Sequence, residues 1–139
     1  MHDATLLEIL TENKIVAVVG LSPKPDRASH RVAQYLQRMG YRIIPVNPGF
    51  DEILGEKSYA RLEDIPQKVD IVDVFRKSED TPPVAESAVR IGARVLWLQL
   101  GIANEVAASI AQTGGLTVVQ DRCIKIEHER LLGQGGEPE

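Results

Sequence analysis

The sequence predicts an α/β protein: a three-layer, Rossmann-like fold around a five-stranded parallel sheet. Two observations carry this. Short runs rich in Val and Ile recur at Ile15–Val19, Arg42–Val46, Val69–Phe75, Arg94–Leu98 and Leu116–Val119. They are mostly continuous rather than alternating, as expected of strands buried on both faces of a parallel sheet. Their spacing, about 20–28 residues, is the room that a strand–helix–strand crossover needs. Segments of helical periodicity fill most of the intervals, and alternating β and α elements imply helices on both faces of the sheet.

Each helix has its own signals. Thr5–Thr11 precedes the first strand. Ser29 can cap a helix running to Met39, with Val32, Leu36 and Met39 on one face and Gly40 as a stop. Thr81-Pro82 reads as a cap followed by proline in the first turn; Val84, Ala85, Ala88 and Val89 face inward, and Gly92 ends the helix. Ala103 or Asn104 opens the next, with Val106, Ala107 and Ile110 inward and Gly114-Gly115 closing it. Ile124–Leu132 is expected as a last helix. The link from the second to the third strand is irregular: Asn47-Pro48-Gly49, a helical turn around Tyr59–Leu62, then Ile65-Pro66. The simplest topology orders the strands 3-2-1-4-5, with right-handed crossovers. Ligands then bind outside the carboxyl ends of the strands, where the order reverses.

Composition narrows the function classes. A chain of 139 residues is one domain's worth; residues 1–133 are expected to form it, with 134–139 as a flexible tail. A net charge of −4 argues against a dedicated nucleic-acid binder. The single cysteine makes neither an internal disulfide nor a multi-cysteine metal site. No run approaches a membrane span, and MHDATLLEIL lacks the basic start of a signal peptide. A cytoplasmic protein with no membrane partner is therefore expected; no feature of the sequence identifies a protein partner.

The residues after each strand are the candidate site. The first loop follows Gly20 and carries Ser22, Lys24, Arg27, Ser29 and His30 ahead of a helix start. A glycine there permits close backbone approach, and a helix N-terminus offers free N–H groups to an anion. Neither GxGxxG nor GxxxxGK[ST] is present, which removes P-loop chemistry and weakens a dinucleotide reading. The second strand ends in Asn47, not the acid that holds an NAD ribose; an amide tolerates a phosphorylated ribose better, although Asn-Pro-Gly alone reads as a turn. Phe75 could lie against an adenine and Arg76 could pair with a phosphate. Gly101 follows the fourth strand, and Trp97 within it reads as core. The set suits a multiply phosphorylated nucleotide better than plain NAD.

In order, VVGLSPKPDRASH, IIPVNP, VDIVDVFR, VLWLQLGI and DRCIKIEH resemble the small stand-alone CoA-binding domain proteins. These are similar to the CoA-binding domain of the succinyl-CoA synthetase alpha subunit. The resemblance implies coenzyme A or acyl-CoA as ligand. It implies phosphate and ribose contacts at Gly20, Leu21, Ser22, Lys24, Arg27 and Ser29. Nucleotide contacts would fall on Val46, Asn47 and Pro48, with Phe75 and Arg76 flanking, and the pantetheine arm would pass Gln99, Leu100 and Gly101. It gives no support for ligase activity, because the synthetase needs a second domain carrying a phosphohistidine, and His128 does not stand in for it. The expectation is a non-catalytic binding domain. Two alternatives stay open: a thioester-processing enzyme using Cys123, and an NAD- or flavin-binding redox sensor. Cys123 and His128 are five positions apart, about 140° round a helix, so they would not face each other on one.

Overall fold

The computed structural model describes residues 1–133 of the chain; the expected tail, 134–139, lies outside them. In chain order the elements are α1 (Asp3–Glu12), β1 (Ile15–Val19), α2 (Ala28–Arg38), β2 (Arg42–Val46), β3 (Glu52–Ile53), β4 (Glu56–Lys57), β5 (Ile71–Val74), α3 (Thr81–Arg90), β6 (Val95–Leu98), α4 (Glu105–Thr113), β7 (Thr117–Val119) and α5 (Ile124–His128). A π-helical turn over Glu129–Gly133 continues α5. Five strands form one parallel sheet, β2-β1-β5-β6-β7.

Strand alternation divides the core. Val16 and Val18 of β1 face α1, α2 and α5 together with Ile71, Val95 and Trp97. Ala17 and Val19 face α3 and α4 together with Val72, Val74, Leu96 and Leu98. The small residues Ala85, Ala88, Ala107 and Ala111 are fully buried, which lets α3 and α4 lie close to the sheet and to each other.

The expected strand order, 3-2-1-4-5, is corrected. Counting only the sheet strands, the order is 2-1-3-4-5, with the third, β5, between the first and the fourth. The reason lies in Pro45. The Arg42 N–H and the Val46 carbonyl point at β1, bonding Lys14 O and the Gly20 N–H. The Pro45 positions therefore face outward, and a proline there has no N–H to give a further strand. What covers that edge is the returning chain: the Tyr59 N–H donates to Pro45 O at 3.0 Å and the Asn47 N–H to Tyr59 O at 2.9 Å. Instead β5 is pinned to β1 by Asp70, whose carboxylate accepts from the Lys14 and Ile15 N–H groups at 3.2 and 3.1 Å.

Local departures have local causes. β3 and β4 form a hairpin that was not expected, turning on Leu54 and Gly55, both at positive φ (56° and 76°). The helical turn expected at Tyr59–Leu62 is instead a 3₁₀ turn at Leu62–Asp64, since Tyr59 is held by β2. Arg27, not Ser29, occupies the N-cap position of α2.

Asp70→Ala should lower the unfolding free energy by about 1–3 kcal/mol, because two amides lose a charged acceptor. Denaturant titration checks it; an unchanged midpoint would mean that the Asp70 clamp adds nothing to the β1–β5 pairing.

Candidate functional site

With this order the topological switch lies between β1 and β5, whose loops leave on opposite sides of the sheet. Gly20 follows β1 with φ +87°, and a Cβ built on it would lie 2.4 Å from the Phe75 carbonyl oxygen. The two chain segments touch there through backbone alone. The Phe75 N–H donates to Val19 O at 2.9 Å, so the next two side chains are fixed in direction. Phe75 packs toward the α2 layer. Arg76 turns to the α3 layer, where it lines a pocket of about 310 Å³ together with Val46, Leu62, Arg61 and Arg90 and one acid, Glu63. A second pocket, about 260 Å³, opens on the α2–α5 side and is lined by Val32, Phe75, Gln99, Leu100, Cys123 and Ile126 among others. The backbone of Phe75 and Arg76 is the wall between a cationic pocket and an apolar one.

The first loop is internally bonded. The Ser22 N–H donates to Ser29 Oγ at 2.9 Å and the Lys24 N–H to Ser22 Oγ at 3.1 Å. His30 Nδ1 lies 2.9 Å from Ser22 O; opposite a carbonyl that nitrogen must carry the proton. Arg31 Nη1 donates to Asp26 O. Leu21 is fully buried, whereas Lys24 and Arg27 are exposed and have no carboxylate partner among the described residues. The first turn of α2 has no side-chain cap.

Asn47 is tied down at both ends of its amide. Its Nδ2 donates to Leu21 O and its Oδ1 accepts from the Gly49 N–H, both at 2.9 Å, so it joins the end of β2 to the first loop. Val46 is buried and lines the cationic pocket, whereas Pro48 is exposed and does not line it. Past β6, Gln99 is 3% exposed and donates through Nε2 to Asp73 Oδ1 at 2.5 Å. Asp73 is fully buried in β5, its Oδ2 has no partner, and burial pushes its carboxyl up to about 7 against the Gln99 hydrogen bond. Leu100 is exposed, and Gly101, at φ +84°, donates its N–H to Asp121 Oδ1 at 2.7 Å. Trp97 is core, as expected, with Nε1 donating to Arg122 O at 2.8 Å.

Only some of the sequence-predicted residues adjoin the two pockets; Leu21, Ser22, Lys24, Arg27, Ser29, Asn47, Pro48 and Gly101 line neither. Gly20, Val46 and Arg76 adjoin the cationic pocket; Phe75, Gln99 and Leu100 adjoin the apolar one. Sequence reasoning missed Arg61 and Arg90, which come from the irregular link and from α3. Arg90 is paired with Glu63 at 2.5 Å and Arg61 with Asp64 at 3.6 Å; Arg76 has no such partner among the described residues. Reasoning also missed the Asp73–Gln99 pair, whose one signal was an acid inside the apolar run VDIVDVF. Cys123 and His128 line different pockets. His128 Nδ1 lies 2.7 Å from the Tyr35 hydroxyl, and its ring meets Tyr35 and Tyr41 edge-on. Burial, with Lys14 nearby, holds its imidazole below the usual histidine range. Among the described residues no cluster of acids, histidines and cysteine could hold a metal ion, and no helix is long and apolar enough to cross a membrane.

Known proteins resemble this chain. The sequence profile of the family described as CoA binding domain matches residues 14–129. Uncharacterized protein YneT of Bacillus subtilis is 49% identical over 125 residues, covering 90% of this chain and 93% of that protein. The solved structure of a hypothetical protein from Pyrococcus horikoshii OT3 superposes with a TM-score of 0.93 at 44% identity, covering 96% of this chain and 94% of that one. The ADP-forming acetate–CoA ligase of Methanocaldococcus jannaschii is 26% identical over 88 residues, 63% of this chain but only 12% of the ligase.

Gly20→Ala should destabilise by more than the ~1–2 kcal/mol that left-handed backbone alone costs an L-residue, since its Cβ also meets a carbonyl. Gly101→Ala, with nothing within 4 Å of the added carbon, should cost only the backbone part. Equal losses in denaturant titrations would mean that the Gly20–Phe75 contact relaxes freely.

Asp73 gives a pH prediction. Its folded value, about 7, lies above the ordinary 3.8, so the native state holds the proton longer than the unfolded chain. The Asp73 contribution to stability is therefore full below about pH 4 and is lost as pH rises toward 7. Asp73→Asn should remove that fall and be the more stable protein at pH 8, by on the order of a few kcal/mol at most. Parallel stability–pH curves for the two proteins would mean that Asp73 does not titrate in this window.

Proposed function

The chain belongs to the CoA-binding domain family, and on that premise we propose that it binds coenzyme A, free or as an acyl thioester, as a cytoplasmic module with no chemistry of its own. The observation that carries this reading is the pairing pattern at the switch point. Arg76, Lys24 and Arg27 have no carboxylate partner among the described residues, while the neighbouring Arg61 and Arg90 are each matched by an acid. Coenzyme A carries a pyrophosphate and a 3′-phosphate, and those three cations suit them. In this reading the adenosine end occupies the cationic pocket beside Val46 and Arg76. The pyrophosphate lies over the Gly20 loop and the uncapped start of α2. The pantetheine arm crosses the Phe75–Arg76 wall toward Gln99, Leu100 and Gly101.

The placement of Cys123 favours binding over catalysis. A thiol nucleophile needs a base within roughly 3 Å. His128 instead engages Tyr35 and lines another pocket. NAD is disfavoured by Asn47, whose amide is already engaged by Leu21 and Gly49 and offers no carboxylate for a ribose diol.

Calorimetry should show CoA bound at least tenfold more tightly than NAD, about 1.4 kcal/mol; equal or reversed preference overturns the reading. Arg76→Ala should weaken CoA by the roughly 1.5–3 kcal/mol of a charged hydrogen bond. A smaller loss for dephospho-CoA would assign Arg76 to the 3′-phosphate and an equal loss to the pyrophosphate, whereas no loss would make it a surface charge. Cys123→Ser should leave CoA affinity within about threefold, or ~0.7 kcal/mol; acyl-CoA hydrolysis abolished by both Cys123→Ser and His128→Ala would replace the binding reading with a catalytic one.

A further inference from the structure

Resting on the CoA reading above, we propose that the apolar pocket between α2 and α5 receives the acyl group of a short-chain acyl-CoA, so that the preferred ligand is the thioester rather than free CoA. The pocket measures about 260 Å³. Its walls include Val32 from α2, Phe75 from the end of β5 and Ile102 from the loop after β6. Two large apolar side chains stand at its rim on different elements, Leu100 at 63% exposure and Ile126 at 49%. They gain contacts only when something apolar fills the space between them.

The pocket's position identifies the occupant. It begins at Gln99 and Leu100, the stretch along which the pantetheine arm is expected to run, and it shares the Phe75–Arg76 wall with the cationic pocket on the other face. A ligand whose phosphates lie on the cationic side therefore brings its thiol end here. A bare thiol would leave most of this apolar volume in contact with water, while a few methylene groups would fill it. One polar group of the right kind is present. Gln99, one of the lining residues, is held by Asp73 through one N–H of Nε2, which leaves that nitrogen's second N–H for a thioester carbonyl. The chain length is bounded by the pocket's volume, about 260 Å³, lined by the buried Val32 and by Phe75, which packs against the core.

The test is calorimetry of the full chain with CoA and with acetyl-, propionyl-, butyryl-, hexanoyl- and palmitoyl-CoA. Affinity should rise roughly fourfold for each added methylene, equivalent to about 0.8 kcal/mol, and stop rising near butyryl. Ile126→Trp fills the pocket from its exposed rim on α5, away from the phosphate-binding loop and the start of α2. It should abolish the rise and leave free CoA within about twofold. Ile126→Ser, at the rim, should reduce the rise while the protein keeps its melting temperature. A flat series with normal CoA binding would put the acyl chain in solvent and overturn the proposal, with the CoA reading intact. A rise that continues to palmitoyl-CoA, or that survives Ile126→Trp, would place the chain elsewhere and overturn it as well. Failure of CoA and of every thioester to bind would remove the CoA reading, and this proposal with it.

Discussion

Gly20 and the carbonyl of Phe75 occupy space that no side chain can share. That contact lies at the one place in the sheet where successive crossovers part, and the binding edge is organised from it. Because β1 and β5 are neighbours, their loops diverge to opposite faces and leave a crevice between them. Because the Phe75 N–H is held by Val19, strand alternation continues one step past the regular ladder. The next two side chains then fall on opposite sides of the sheet, one aromatic and one cationic. A single backbone contact thus converts sequence neighbours into the separated walls of two chemically different pockets.

Beneath the apolar pocket the fold accepts a local penalty. A carboxyl buried in the centre of β5, with one oxygen unpartnered, is disfavoured when ionised. Its other oxygen holds the Gln99 amide. An apolar residue at position 73 would pack as Val16 and Ile71 do, but it would release Gln99 to choose its own orientation. Asp73 is best understood as a positioning residue: it fixes the amide of Gln99, a residue of a pocket otherwise lined mostly by carbon, at a cost that grows with pH.

Much of the fold was legible, and the reasons for the misses are specific. Continuous Val and Ile runs marked all five sheet strands because burial on both faces removes alternation. Asn104 was readable as a cap and its Oδ1 accepts from the Ala107 N–H at 2.9 Å. Strand order was not legible from periodicity, because it depends on where the crossovers go; Pro45 held the answer as a missing outward donor. The β3–β4 hairpin was hidden because its strands are two residues each and Leu54 stands where Asn or Asp usually marks such a turn. At the candidate site, residue types pointed to the strand-end loops but not to the bonds that hold those loops. Ser22, Ser29 and Asn47 were read as ligand contacts; in the folded chain their side chains first hold the loop together. Arg61 and Arg90 lay outside the expected loops, since the irregular link gave no period to read.

The distribution of charge explains how a chain of net charge −4 can suit a polyanion. Several acids are spent on local partners away from the crevice: Asp3 and Glu127 both engage Arg130, and Glu129 pairs with Lys125. Screening limits the reach of the remaining charge to about 8 Å at physiological ionic strength, so a phosphate at the crevice responds to Arg76, Lys24 and Arg27 rather than to the total. These three cations are not equivalent. Lys24 and Arg27 lie on an exposed loop around Pro23 and Pro25, and fixing a long side chain there costs up to ~2 kcal/mol of rotamer entropy. Arg76 follows a backbone already fixed by the Val19 hydrogen bond and by the Gly20 contact, so less order remains to be imposed when an anion arrives. The residue beside the tightest backbone contact is therefore the cation from which a bound phosphate gains most.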